Sequence, residues 1–345
     1  MEKIVINTPG TSSEIFVGKN WESVAELLPE SGVVIITDDN VKRIYGKKFP
    51  QVPVFSVTPG ESSKKLAVVE NLAEKLLDKG IDRSGFILAV GGGVVCDIAG
   101  FLASIYMRGI RCGYVSTSLL SQVDASTGGK NGVNLGGTKN MLGNIRQPEF
   151  VICDTEMLLT LSEQEYLSGL AELIKTAVIG DIDLFDLIER SHKDVMVRNV
   201  NLLTSLVSKS VNFKASIVSL DEKETGIRRI LNFGHTYGHA VEMQMSVKHG
   251  FAIATGMELS TEFSFSKGLI SVAEKDRIIS LLKSFDLIGD HNIPDDQLER
   301  LILHDKKKTG LNIHFVFTEG IGKAIVKKVP AIELVDFYKR FRDKK

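Results

Sequence analysis

The stretch FILAVGGGVVCD, residues 86–97, decides the fold. Phe86 to Val90 is an unbroken apolar run closed by glycine, the pattern of a strand buried on both faces. Gly91, Gly92 and Gly93 follow as a tight turn, and the stretch from Val94 to Arg108 reads as a helix stopped by Gly109. A strand that runs through a glycine turn into a helix aims backbone amides and the helix N-terminus at one spot, where a pyrophosphate can be held. The bland alternative is a turn that binds nothing. The spacing is not GxGxxG, so the ordinary dinucleotide fingerprint is absent. Asp97, one turn into the helix, adds a carboxylate that a pure turn does not need.

On either side, strand and helix patterns alternate. VVIIT (33–37) reads as a buried strand closed by Asp38, Asp39 and Asn40, and VPVFSV (52–57) as another, ahead of Pro59-Gly60. Residues 64–79 place Leu66, Val69, Leu72, Leu76 and Leu77 on one helical stripe ending at Gly80. CGYVS (112–116) is a further strand. This alternation predicts a parallel sheet in an N-terminal α/β nucleotide-binding domain. Residues 124–147 hold six glycines among polar and basic side chains and read as a long functional loop, because VICD (151–154) resumes strand character at once. From about Leu161 amphipathic stretches dominate, at 163–180, 183–190, 198–219, 229–245, 252–267 and 272–284. The expected division is therefore 1–160 for the α/β domain and 161–345 for a mostly α-helical C-terminal domain.

Bulk properties agree with a soluble globular chain. At 345 residues it suits two domains, and 43% hydrophobic with 25% charged residues is an ordinary mixture. The formal net charge of −1 provides no global field to attract nucleic acid or an anionic membrane. Any cationic site must be local. Cys96, Cys112 and Cys153 form no CxxC pair, which argues against a thiolate zinc site or a disulfide framework. No run is long enough to span a bilayer, and Met-Glu-Lys-Ile does not open a targeting segment, so the expected location is cytoplasmic.

Chemistry concentrates in the second half. In NFGHTYGHA, His235 and His239 lie four residues apart and hence on one helical face, and His249 follows before Gly250. One histidine is usually a hydrogen-bonded structural residue, but three within fifteen residues, beside glycines that permit close approach, suit a divalent metal. No glutamate follows His235 directly, so this is not the HExxH protease pattern. Glu172 and Lys175 in GLAELIK form either a surface salt bridge or, if buried, a carboxylate that needs a partner such as a metal. Lys130, Lys139, Lys214, Arg228 and the run Lys306-Lys307-Lys308 supply local positive charge. Most lysines are merely solvated, but Asp305 and the following Thr-Gly give the last run the look of a shaped loop.

GGGVVCDIAGFLASIYMRG, LLSQVDASTGGKNGVN, KNMLG, GLAELIKTAVIGD, DEKETGIRRILNFGHTYGH, His249-Gly250 and DKKKTG together resemble the 3-dehydroquinate synthase family in order and spacing, from about Thr37 to Gly322. The wider superfamily also holds metal-dependent alcohol dehydrogenases and cyclases that make inosose or valiolone rings. The resemblance implies NAD contacts at Asp38, Asn40, Glu61, Lys64, Gly93, Val94, Val95, Asp97, Thr117, Ser118, Lys130, Lys139, Met157, Leu158, Leu159 and Thr160. It implies a zinc or cobalt site at Glu172, His235 and His249. Asp124, Lys130, Lys175, Lys214 and His239 match the catalytic positions, and Arg108, Asn140, Arg228 and Asn232 the substrate contacts. One lysine of the DKK run joins the latter, assigned to Lys307 with Lys306 as the alternative. The chain departs from the family in having Ser116-Thr117-Ser118 where Pro-Thr-Thr is usual, and in a shorter spacing from His239 to His249.

The resemblance further implies the reaction. 3-Deoxy-arabino-heptulosonate 7-phosphate is transiently oxidised by NAD at one secondary alcohol, which acidifies the neighbouring C–H and permits phosphate loss. Hydride then returns, the ring opens, and an intramolecular aldol step closes 3-dehydroquinate, so the net reaction is a lyase step. Carboxylate and phosphate on that substrate suit the local cations. The competing readings are a related cyclase, whose sugar phosphate lacks the carboxylate, and a polyol dehydrogenase that releases NADH. The family also implies a homodimer in which Arg108 reaches the substrate phosphate of the neighbouring subunit.

Overall fold

The structure, a computed structural model, describes residues 1–345 apart from 137, 246, 290–293, 304–307, 310 and 344–345. The chain forms two compact units, Met1–Leu161 with Val200–Lys223, and Ser162–Asn199 with Glu224–Lys345. Relative to the 160/161 division read from the sequence, the segment 200–223 lies with the first unit.

In chain order, β1 (Glu2–Thr8) and β2 (Thr11–Val17) form a hairpin and are followed by β3 (Val33–Asp38), α1 (Asp39–Tyr45) and β4 (Val54–Val57). Next come α2 (Leu66–Asp78), β5 (Phe86–Gly91), α3 (Gly93–Ile105) and β6 (Arg111–Ser116). β7 (Lys130–Leu135), β8 (Thr138–Ile145) and β9 (Phe150–Cys153) complete the N-terminal part. The helices α4 (Glu163–Gly180), α5 (Ile182–Arg190), α6 (His192–Met196) and α7 (Val200–Leu220) lead to α8 (His235–Met245), α9 (His249–Ser266) and α10 (Val272–Ser284). The chain ends with α11 (Asp295–Leu303), β10 (Lys308–Thr309), β11 (Asn312–Thr318), β12 (Ala324–Pro330) and α12 (Ala331–Arg342).

Among the described residues of the first unit, seven strands form one sheet in the order β1-β2-β9-β6-β5-β3-β4. Only the β1–β2 pairing is antiparallel. Val33, Val34, Ile35 and Ile36 and the whole of Phe86–Val90 are buried, as runs covered on both faces must be. Phe86, Leu88 and Val90 point to one face, where Phe16, Trp21, Phe49, Phe150 and Met157 pack with them. β4 lies to one side of β3 and β5 to the other, so the winding reverses between β3 and β5. A crevice opens at the C-terminal ends of strands at such a reversal, and Asp38 and Gly91 end these two strands.

The second unit is helical, with a small antiparallel sheet β10-β11-β12. Its core gathers Tyr237, Phe263, Phe315, Phe317, Phe337 and Tyr338. α10 starts at a capping box, in which Ser271 and Glu274 each satisfy the other's backbone amide. No helix among the described residues is long and apolar enough to cross a membrane.

Several sequence expectations need correction. The 124–147 segment is not a bare loop, since β7 and β8 pair within it as an antiparallel hairpin. Gly132 faces Gly143 across this hairpin, and a Cβ on Gly132 would come 2.7 Å from the Leu142 carbonyl. Glycine is thus what lets the strands pair, while depriving them of a strand-like sequence. The α3 helix stops at Ile105 rather than Arg108, because Met107, Arg108 and Gly109 take positive φ values of 49°, 71° and 118°. The stretch 229–245 is broken at Gly234 (φ 77°), leaving one turn at Ile227–Asn232 before α8. Leu66 and Leu77 are exposed, and the α2 stripe is carried by Val69, Leu72 and Leu76.

Candidate metal and nucleotide sites

In the first unit the C-terminal edge of the sheet gathers polar groups. Lys64 is buried, and its ammonium donates to Asp97 Oδ2 and Asn140 Oδ1, both at 2.5 Å. Glu61 lies 3.8 Å away and also accepts from Asn134 Nδ2 at 2.9 Å. Burial pushes the Asp97 carboxyl up to about 6, against the pull of Lys64. Asp97 is on α3, one turn past its start at Gly93, where the first amides have no partner within the helix. Val94 is half-buried and Val95 buried. Asn140, matched to substrate in the sequence, thus joins the same group as Glu61, Lys64 and Asp97.

Asp38 caps α1, its Oδ1 accepting from the Asn40 amide at 2.9 Å and the Val41 amide at 3.0 Å. Burial raises this carboxyl from its ordinary value, opposed by those two bonds. The Thr117 amide donates to the Gly91 carbonyl at 3.0 Å, and Ser118 Oγ to Ser121 Oγ at 3.0 Å. Met157 and Leu158 are buried, whereas Leu159 and Thr160 are exposed, with Thr160 Oγ1 2.8 Å from the Tyr45 hydroxyl. Lys130 and Lys139 are exposed on the β7–β8 hairpin, and Asn40 is exposed on α1. Lys214 on α7 donates to the Asp124 carbonyl at 2.7 Å and pairs with its carboxylate. Arg108 is exposed in its left-handed turn.

In the second unit, Glu172, His235 and His249 present one ligand atom each, all within 4.8 Å of one another. His249 Nε2 is 3.4 Å and His235 Nε2 3.9 Å from Glu172 Oε1. Ligand atoms about 2.0–2.2 Å from a tetrahedral zinc lie roughly 3.3–3.5 Å apart, so this set needs only small adjustments to hold a divalent cation. Glu172 is fully buried and its carboxylate pairs with Lys175, one turn along α4. Phe233 contributes a carbonyl 3.1 Å from His235 Nδ1, leaving Nε2 turned towards Glu172. His239 stands beside the trio, its ring centre 5.3 Å from that of His235.

Backbone proximity makes this convergence feasible. A Cβ on Gly256 of α9 would come 2.6 Å from the Gly238 amide nitrogen, and one on Gly234 would meet Met257 and Ile253. With no side chains between them, α8 and α9 cross closely and bring His235, His239 and His249 together. Burial opposes a charged His249 ring, but the carboxylates of Glu172 and Glu242 outweigh it and push the imidazole up to about 9. Arg228 is buried in the turn before α8. Asn232, at the end of that turn, donates to the Glu224 carboxylate. Lys307 and Lys306 lie outside the described residues.

Three polar residues escaped the sequence reading. Glu224 sits at φ 57° in DEKETG, an uncommon conformation for glutamate that only the structure reveals. Asn134 belongs to the hairpin that sequence patterning did not resolve. Glu242 carried a usable signal, since it follows His235 by seven residues and so shares its helical face.

Known proteins resemble this chain along nearly its whole length. The sequence model of the 3-dehydroquinate synthase N-terminal domain matches residues 54–168, and that of its C-terminal domain residues 169–308. A 3-dehydroquinate synthase of Alkaliphilus metalliredigens is 39% identical over 341 residues, covering 93% of this chain and 94% of the relative. Among solved structures, a 2-epi-5-epi-valiolone synthase from Streptomyces hygroscopicus with NAD+ and Zn2+ bound superposes with a TM-score of 0.89 at 25% identity, covering 98% of this chain and 99% of the other. A 2-deoxy-scyllo-inosose synthase complexed with carbaglucose-6-phosphate, NAD+ and Co2+ gives 0.88 at 25% identity, covering 98% and 100%. The parallel-sheet unit, the helical unit with its Glu-His-His trio, and likeness along nearly the whole length lead to one conclusion: this chain belongs to the 3-dehydroquinate synthase family.

Proposed function

We propose that the chain is a 3-dehydroquinate synthase that uses NAD and a divalent metal to convert 3-deoxy-arabino-heptulosonate 7-phosphate into 3-dehydroquinate and phosphate. The observation that carries this reading is the convergence of Glu172, His235 and His249, drawn from three helices, within 4.8 Å. When bound, the metal lowers the pKa of a substrate hydroxyl and NAD accepts and returns a hydride. The remaining work falls to the chain's own side chains.

Glu172, His235 and His249 hold the metal, and Lys175 balances the buried Glu172 carboxylate. The first unit receives NAD at the sheet edge, where the α3 N-terminus faces its pyrophosphate and Glu61, Lys64 and Asp97 form the polar floor. His239, flanking the trio, and the Lys214–Asp124 pair take the proton-handling roles. Arg228, buried in the turn before α8, is assigned to the substrate carboxylate, since a guanidinium matches a carboxylate with paired charged hydrogen bonds. Asn232, held by Glu224, contacts the substrate beside it. Lys130, Lys139 and Lys307 add positive charge for the phosphates.

A homodimer completes the reading. Arg108 is exposed in a turn whose neighbours Ile105 and Met107 are also exposed, and β8, which packs on α3, shows Met141 and Ile145 to solvent. Apolar groups around an exposed arginine suit a face that a second subunit covers, with Arg108 serving that subunit's phosphate.

Arg228→Ala tests the substrate assignment. A charged hydrogen bond to a carboxylate contributes about 1.5–3 kcal/mol, so kcat/KM for the heptulosonate phosphate should fall roughly ten- to a hundredfold more than for an analogue lacking the carboxylate. Equal losses on both would make Arg228 a structural residue and favour a cyclase of sugar phosphates that lack the carboxylate.

A further inference from the structure

The His249 imidazole bridges two carboxylates, one at each nitrogen. Nε2 is 3.4 Å from Glu172 Oε1 within the trio, and Nδ1 is 3.4 Å from Glu242 Oε2 on the opposite side of the ring. The Glu242 side chain is 9% exposed, so water competes little for this contact. Glu242 itself is not among the converging ligand atoms.

A neutral imidazole gives a metal the lone pair of one nitrogen and keeps its proton on the other. For His249 to present Nε2 to the trio, Nδ1 must carry the proton, and an acceptor beside Nδ1 selects that tautomer and fixes the ring plane. His235 has the Phe233 carbonyl for the same task. α8 therefore carries His235 at its first residue and Glu242 two turns along the same face, facing the first residue of α9. One helix supplies a ligand directly and positions another.

We propose that Glu242 is a positioning residue for the metal centre, accepting the Nδ1 hydrogen of His249 and thereby setting the affinity for a divalent cation. This rests on the metal assignment made above. It assigns a task to a side chain outside the ligand and substrate sets, and it accounts for a partly buried carboxylate beside the third ligand.

The test measures the Zn2+ dissociation constant of purified protein by competition with a chromophoric chelator, together with thermal melts of the metal-free and Zn2+-loaded forms. Two variants lack an acceptor, Glu242→Ala and the longer Glu242→Met, so that failure of one to fold leaves the other to decide. Each should bind Zn2+ about ten- to a hundredfold more weakly than wild type, with a smaller Zn2+-induced rise in melting temperature. Glu242→Gln, which keeps an oxygen acceptor, should recover most of the affinity. Wild-type affinity in Glu242→Ala or Glu242→Met overturns the inference, as does Glu242→Gln binding no tighter than Glu242→Met. A wild-type protein that takes up no Zn2+ overturns the metal assignment along with it, which separates the two failures.

Discussion

Asp97 illustrates how a single side chain can carry both a site and a cost. Its carboxyl is raised to about 6 by burial even though the Lys64 ammonium touches it. A carboxyl whose folded value lies above its unfolded value of 3.8 favours the folded state fully only below that value, and the contribution is lost as pH rises through about 6. Without NAD, the stability of wild type relative to Asp97→Asn should therefore decline from about pH 3.8 to about pH 6, by about 3 kcal/mol at most, and then level off. Denaturant melts of both proteins across this range check it, and parallel curves would contradict it. The position of Asp97 was legible, because a carboxylate one turn past a glycine run is a local pattern. Its partners were not. Lys64 and Asn140 lie 76 residues apart in the chain, and only the folded hairpin brings them together. The spacing of Glu242 from His235 was readable, but its contact with His249, on the next helix, was not.

Elements were legible where packing follows a period and illegible where glycine replaces it. The strand at 86–91 and the helix at 163–180 were recovered with their boundaries almost unchanged, since long apolar or amphipathic runs state their own structure. The β7–β8 hairpin was not, because its pairing depends on the absence of side chains at Gly132 and Gly143. The β11 and β12 strands were also missed, since they lie beyond the last stretch read, 272–284. The α8–α9 crossing follows the same logic. Gly256→Ala places a methyl against the backbone of Gly234 and Gly238, and overpacking of this kind costs about 1–3 kcal/mol. Its melting temperature should drop by several degrees and its Zn2+ affinity should fall, while Gly289→Ala, with open space around it, should match wild type in both. A Gly256→Ala protein as stable and as tight for Zn2+ as wild type would show that the crossing does not set the trio.

For the whole molecule, the family and the two-part plan were legible because the motifs recur in order along the chain. The placement of α7 with the first unit was not, since its amphipathic pattern resembles that of its helical neighbours. Assembly supplies one test of the proposed shared site. If Arg108 serves the partner's site as proposed, mixing inactive Arg108→Ala with inactive His235→Ala puts both lesions in one site of a mixed dimer and leaves the other intact, so activity should return to about a quarter of wild type after random exchange. A mixture that stays inactive, with mixed dimers shown by native mass spectrometry, would place Arg108 in its own subunit. The most direct measurement is phosphate release from 3-deoxy-arabino-heptulosonate 7-phosphate by protein stripped of metal and nucleotide, then resupplied. Phosphate should appear only when both NAD and Zn2+ or Co2+ are present, in step with 3-dehydroquinate and with no net gain of NADH. Full turnover without metal, or steady accumulation of NADH, would contradict the assignment.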